Sequence, residues 1–282
     1  MRQSSHTQAR HRDQAKFWQD PAMEGVEILH AHYFTHSFSR HTHDGFTISV
    51  IHQGLGAFWY RGSVHPSPAG YLGLLNPDEP HTGHVVGDGG WTYLALYVTP
   101  ARLLQVANEI SGKSWKSCWF PEPMVQDEQL AQSMRMLHSA LIEPCSVIER
   151  ESKLLSVFAH LLIRHTEDTP VVKLLGQEHR AVKLVREYIE ANYPENLSLQ
   201  QLAEIAQLSS FHLTLVFRHA VGLPPHAYLN QVRVNRAKAL IMAGEPIAQV
   251  AYATGFVDQS HLTRRFKQIL GVTPGQLIRI QN

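Results

Sequence analysis

The chain has 282 residues, 44% of them hydrophobic, which suffices for ordinary cores and suggests about two domains. Its 25 Lys and Arg nearly balance 24 Asp and Glu, but from Gln177 onward 11 basic residues meet 7 acidic ones, a balance of +4 that leaves −3 before it. The basic half is the one expected to meet nucleic acid. No apolar run reaches the roughly 18 residues of a membrane-spanning helix, and Cys118 and Cys145 fit no metal or redox spacing and suit a reducing cytosol.

The first twenty residues are polar, rich in His and Arg and without apolar periodicity, so they read as a flexible arm rather than a signal or transit peptide. From Gly45 to about Val98, alternating segments such as Phe46-Thr47-Ile48-Ser49-Val50 and Ala57-Phe58-Trp59-Tyr60 lie between Gly and Pro turns. That pattern predicts an antiparallel barrel or jelly roll. After Thr99 the period becomes helical, through Leu103, Leu104, Val106 and Ala107, then Leu130, Met134, Leu137 and Leu141, then Leu154, Leu155, Phe158, Leu161 and Leu162. The last two segments predict an antiparallel hairpin across Pro144. Their apolar stripe suits either internal core or a subunit interface.

The last hundred residues contain a near-repeat. His212-Leu213-Thr214, Phe217-Arg218, Gly222 and Pro225 recur 49 residues later as His261-Leu262-Thr263, Phe266-Lys267, Gly271 and Pro274. In the first copy Ser198 and Gln201 form a capping-box start, and Ser209 caps a second helix whose Leu213, Val216, Phe217 and Ala220 face inward. Ser210, Phe211, Thr214, Leu215 and Arg218 are left outward. In the second copy Pro246 opens a short helix, Gly255-Phe256 makes the turn and Asp258 caps the next helix, with Gln259, Ser260, His261, Thr263 and Arg264 outward. Between the copies, Pro225 to Met242 reads as one helix of ~27 Å, with Tyr228, Leu229, Val232, Ala239 and Leu240 as its apolar side. Each copy is a helix-turn-helix, and two would read neighbouring stretches of major groove. Leu215 has no polar group for a guanine and suits a thymine methyl, whereas Arg264 has the guanidinium that guanine takes. His212 and His261 either read a base or cap and pack at their helix starts.

The segments Ala-Tyr-Leu-Asn-Gln-Val-Arg-Val-Asn-Arg-Ala at 227–237, Val-Ala-Tyr-Ala-Thr-Gly-Phe-Val-Asp-Gln-Ser at 250–260, and Arg-Phe-Lys with Gly-Val-Thr-Pro at 265–274 closely resemble the AraC/XylS family of bacterial transcription regulators. The resemblance covers about residues 178–280. It implies a seven-helix domain with Phe211, Thr214, Leu215, Ser260, His261 and Arg264 in the places of base-contacting residues. Less specifically, Ser39-Arg40-His41-Thr42-His43-Asp44 and Asn76-Pro77-Asp78-Glu79-Pro80-His81 resemble the cupin-like sensor domain that precedes the DNA-binding domain in metabolite-responsive members. That resemblance implies a ligand inside the barrel, with Arg40 clamping a carboxylate or sugar hydroxyls and His41, His43, His81 and Tyr93 completing a polar pocket. Ala95 stands where the arabinose-responsive member has a stacking tryptophan, so an amino acid or another sugar is expected. Family members commonly dimerise through helices placed after the barrel.

The fold expected is α+β in two domains: a cupin-like jelly-roll barrel with a helical hairpin, then an all-α domain with two helix-turn-helix units. The boundaries are an arm at 1–20, a sensor and dimerisation domain at 21–168, a linker at 169–177 and a DNA-binding domain at 178–282. The function expected is an effector-responsive, cytoplasmic, homodimeric regulator that binds double-stranded promoter DNA, meets RNA polymerase if it activates, has no membrane partner and performs no catalysis. No cofactor and no metal are expected. His41-x-His43 with His81 nevertheless has the spacing at which cupin enzymes hold an ion, although the glutamate that usually follows is missing after Asp44. A metal-dependent cupin enzyme fused to a DNA-binding domain, and a regulator governed by a protein partner, are the alternatives.

Overall fold

A computed structural model describes residues 12–172 and 178–281. It contains nine strands and ten helices among those residues. They divide into two compact units: residues 12–103, 117–132 and 165–168, and residues 104–116, 133–164, 169–172 and 178–281.

The first unit is a jelly roll. Its strands are β1 (Gln14–Gln19), β2 (Val26–Tyr33), β3 (Ser37–His41), β4 (Phe46–Tyr60), β5 (Ser63–Pro68), β6 (Leu72–Leu75), β7 (His81–Val85), β8 (Trp91–Val98) and β9 (Met124–Val125). One layer runs β1-β2-β8-β4-β6-β9; β3, β7 and β5 lie off that path. β4 serves both layers: its first half pairs with β8 and β6, and its second half pairs with β5 and β7. The change of partner falls at a register shift beside Gly54, whose φ is +79°. A Cβ there would lie 1.9 Å from the Gly90 carbonyl oxygen, so only glycine fits. Inside, Leu29, Ala31, Tyr33, Ile51, Trp91, Tyr93 and Ala95 make one apolar cluster.

Two expectations for this part change. Residues 14–19, assigned to the arm, form β1, antiparallel to β2 from Gln14 opposite His32 to Gln19 opposite Glu27. Its mostly exposed side chains carry no burial pattern to announce a strand. Residues 1–11 of that arm and 173–177 of the expected linker lie outside the described residues. β2 and β3 also precede the Gly45 start read from the turn spacing.

The helices that follow are α1 (Pro100–Ser111), α2 (Glu128–Ile142) and α3 (Val147–His165). The apolar stripe of α3 is buried within the chain, including Leu154, Val157, Phe158, Leu161 and Leu162. The C-terminal helices are α4 (His179–Asn192), α5 (Leu199–Ala206), α6 (Ser210–Val221), α7 (Pro225–Met242), α8 (Ile247–Ala253), α9 (Gln259–Leu270) and α10 (Pro274–Gln281). Residues 133–164 group with these helices, so packing divides the chain differently from the sequence boundary at 168.

Helix ends in the repeat follow the caps. The Ser198 hydroxyl accepts from the Gln201 amide at 3.0 Å, but the Gln201 side chain donates to Tyr188 instead of returning to Ser198, so only half of the capping box forms. Ser209 and Asp258 accept from the amides of His212 and His261, and Gly222 and Gly271 end α6 and α9 in the left-handed region. α7 has the expected bounds but a different inner face: Leu229, Asn230, Arg233, Val234, Ala237 and Ile241 are buried, whereas Ala239 is exposed and Val232 only half-buried. The reason is Arg233, 1% exposed, whose guanidinium donates to the carbonyls of Tyr193 and Glu195 at 2.7 Å each. A buried arginine is invisible to a pattern built on apolar spacing.

Candidate nucleic-acid interface and effector cavity

In each helix-turn-helix, apolar anchors hold the recognition helix and leave a polar face. Leu213 and Phe217 fix α6, and Leu262 and Phe266 fix α9; all four are fully buried. Leu215 is 41% exposed, Arg218 is exposed, and Ser210 and Thr214 are half-buried. On α9, Gln259 and Ser260 are exposed, and Thr263 and Arg264 are half-buried. Thr214 and Thr263 each return their hydroxyl to the carbonyl four residues back, at 2.8 Å.

Two expected readers are not on that face. Phe211 is 7% exposed and its amide faces the Glu109 carboxylate at 3.4 Å, so it packs inside the unit. His261 is 0% exposed, its ring set edge-on to Phe256 and its Nε2 3.2 Å from a Glu149 carboxylate oxygen. Helical spacing places both residues at the N-terminal start of their helices, where the neighbouring segments of α1 and α3 cover them. His212 is buried as well, its ring beside the Ser209 hydroxyl.

In the jelly roll, His41, His43, His81 and Tyr93 line one interior cavity of about 70 Å³, with Phe38, Trp91 and Tyr97 as further walls. That volume holds a few waters and lies below the usual range of small-molecule pockets. Burial pushes the Tyr93 hydroxyl well above its ordinary range and Tyr97 up to about 12, so both are neutral donors. The Thr47 hydroxyl and the Trp91 indole N–H are buried here without a hydrogen-bond partner.

Arg40 is not in this cavity. It is exposed and stacks over Trp59, 4.5 Å from the ring centroid. The cause is a bulge: Phe38 pairs with Gly83 and His41 with His81, so Ser39 and Arg40 together oppose Thr82 and both turn outward. Strict alternation from Phe38 would have put Arg40 inside. The second motif also has a structural member, since buried Asn76 exchanges two 2.9 Å hydrogen bonds with the backbone of Phe120.

Comparison with known proteins places this geometry. Residues 25–158 match the AraC-like ligand-binding domain, and residues 202–280 match a helix-turn-helix domain. An uncharacterized HTH-type transcriptional regulator of Bacillus subtilis, YbfI, is 30% identical over 228 residues, which span 80% of this chain and 81% of that one. The chain belongs to the AraC family. The HTH-type transcriptional activator RhaS of Pectobacterium carotovorum is 23% identical over 249 residues, 86% of this chain and 88% of its own. A solved probable AraC-family regulator from Rhodopseudomonas palustris is 27% identical, with a TM-score of 0.34, over 36% of this chain and 95% of that one.

In this AraC-family regulator the second recognition helix is held by α3 and the turn before it. Glu149, its side chain 2% exposed, receives Arg265 at 2.6 Å and Asn230 at 2.7 Å on one oxygen. On the other it receives the Cys145 thiol and the Ser146 hydroxyl at 3.1 Å each and the Ser146 amide at 3.2 Å. Burial alone would raise this carboxyl; His261 and Arg265 overturn that and hold it well below the usual range. Burial, then the Glu149 charge, pushes the Cys145 thiol up to about 12, so it stays a thiol. Arg264 is engaged too: it donates to the Pro144 carbonyl at 2.5 Å and lies 3.5 Å from the Glu143 carboxylate. Ser146-x-x-Glu149 is a local capping-box signature at the start of α3, and the Ser146 amide does donate to Glu149. What the sequence does not mark is the role of this carboxylate as a hub, because Asn230, His261 and Arg265 lie far along the chain.

Proposed function

We propose that this AraC-family regulator reads promoter DNA with Ser210, Thr214, Leu215 and Arg218 of α6 and Gln259, Ser260, Thr263 and Arg264 of α9. The observation that carries the reading is the pair of capped recognition helices, each pinned by two buried side chains and leaving a polar face at matching positions. Arg264 supplies a guanine reader once it leaves Glu143 and Pro144. The modest basic excess argues that one copy binds weakly and that a homodimer supplies the remaining affinity, with RNA polymerase as a partner where the outcome is activation. The protein works in the cytoplasm, and no catalysis is required.

The jelly-roll cavity takes a small polar metabolite, an amino acid or a sugar. Its support is the set of His41, His43, His81 and Tyr93 around one space, with the Thr47 and Trp91 polar atoms left for a ligand to satisfy. The effector changes DNA affinity through its differential affinity for the DNA-competent arrangement, with the helical hairpin as the coupling element. A regulator governed by a protein partner is the second reading, favoured by the small size of the cavity. Calorimetric titration of the full chain with a metabolite panel separates the two.

The test of the DNA reading is selection of binding sites from a random promoter library with wild type and Arg264→Ala. Loss of preference at one base position, with a cost of about 1–3 kcal/mol there, is expected. An unchanged preferred sequence would overturn the assignment of α9.

A further inference from the structure

We propose that His41, His43 and His81 form a binding site for one divalent transition-metal ion of the zinc, cobalt and nickel class. Spacing along the chain left this reading behind the expectation of no metal; the fold brings the three rings together. Ring centroids are 4.4 Å apart for His41 and His81, 4.8 Å for His41 and His43, and 5.0 Å for His43 and His81. One nitrogen from each lies within 4.8 Å of the others, and this is the only such trio with metal-ligating atoms among the described residues.

The backbone prepares the ligand nitrogens. His41 Nδ1 lies 2.7 Å from the Ser39 carbonyl and His81 Nδ1 lies 3.0 Å from the Glu79 carbonyl. A carbonyl only accepts, so both Nδ1 atoms carry a proton, and Nε2 is the nitrogen that each ring has for an ion. A carbonyl behind the distal N–H is the arrangement that fixes ring orientation and raises basicity in metal-binding histidines. The bulge at Ser39 and Arg40 is what turns His41 inward beside its cross-strand partner His81. Three neutral imidazoles with no carboxylate among the ligands suit borderline ions and not magnesium or calcium, which need oxygen. On an ion with bonds of about 2.1 Å, ligand nitrogens stand roughly 3.0–3.4 Å apart. Small side-chain rotations close the present spacing. The remaining coordination positions face the cavity and take water or an oxygen donor of a small ligand.

The site does not rest on the DNA or effector readings, and its test involves neither. Full-length protein is stripped with chelator and titrated with cobalt chloride, followed by visible absorption, and with zinc chloride, followed by calorimetry. One ion per chain is expected, with cobalt bands of a nitrogen-bound, low-symmetry site and no displacement by excess magnesium. His43→Ala and His81→Gln each weaken binding at least 100-fold, whereas His84→Ala, an exposed histidine on the same β7, leaves it unchanged. Thermal melts of the metal-free variants check folding, and nitrogen-15 spectra of the wild-type rings give a readout that needs no variant: three perturbed imidazoles per bound ion. The chain has 19 histidines, so adventitious binding is the competing outcome. Less than about 0.2 ion per chain at saturating metal, binding that survives both variants, or perturbation of other histidines would overturn the proposal.

Discussion

Replacing Glu149 by Gln removes one charge at the junction of α3, α7 and α9 while keeping the side chain's size. One carboxylate oxygen can persist as the amide oxygen facing Arg265 and Asn230, but the amide NH2 then meets the Cys145 thiol, the Ser146 amide and hydroxyl, and His261, most of which are donors. Removing one partner of a buried ion pair costs about 3–5 kcal/mol because the remaining charge is left unpaired. Urea unfolding of the full chain at pH 7, followed by helical circular dichroism, should register a loss in that range. The pH dependence carries the sign. The carboxyl is held low in the folded state, so its stabilisation is fully present above its unfolded value near 4.5 and fades as pH falls towards the folded one. At pH 3.5 wild type should therefore have lost about 1.4 kcal/mol of its advantage over the variant. A loss under 1 kcal/mol at pH 7, or a gap that stays constant down to pH 3.5, would refute the view of Glu149 as an ionised hub.

Glu143→Gln removes the exposed charge beside Arg264 and should raise affinity for promoter DNA in gel-shift titrations by a few-fold at low salt, with a smaller effect at high salt. Leu215→Arg adds a donor to the outward face of α6 and should create a guanine preference at one position in binding-site selection, worth about 1–3 kcal/mol. Gly255→Ala puts a methyl 2.5 Å from the Pro194 carbonyl at a φ of +79° and should lower stability by about 3 kcal/mol in the same urea assay.

The helix-turn-helix pair was legible because its signals are local: serine, aspartate and glycine at helix ends, and anchors at helical spacing, repeat at one offset and the structure places them so. What escaped depends on residues distant in sequence. Arg40 faces out because of one extra residue in β3, a bulge that no alternation pattern contains. His261 and Phe211 carry polar or aromatic groups at formally outward positions, yet segments from α3 and α1 cover them. The inner face of α7 was misplaced because Arg233 spends its burial on two carbonyls, a satisfaction that hydrophobicity does not register. The histidine trio was visible as spacing, but its convergence depends on the same bulge that removed Arg40.

The long strand β4 belongs to both walls of the jelly roll, and at the point of exchange its backbone touches that of Gly90 with no room for a side chain. Walls sharing a single rod cannot be prised apart without breaking it, so the chamber has a fixed frame. Whatever enters must gain its space from the furniture, by turning rings such as Phe38 and Trp91, and selection among guests then depends on which rotamers those rings tolerate.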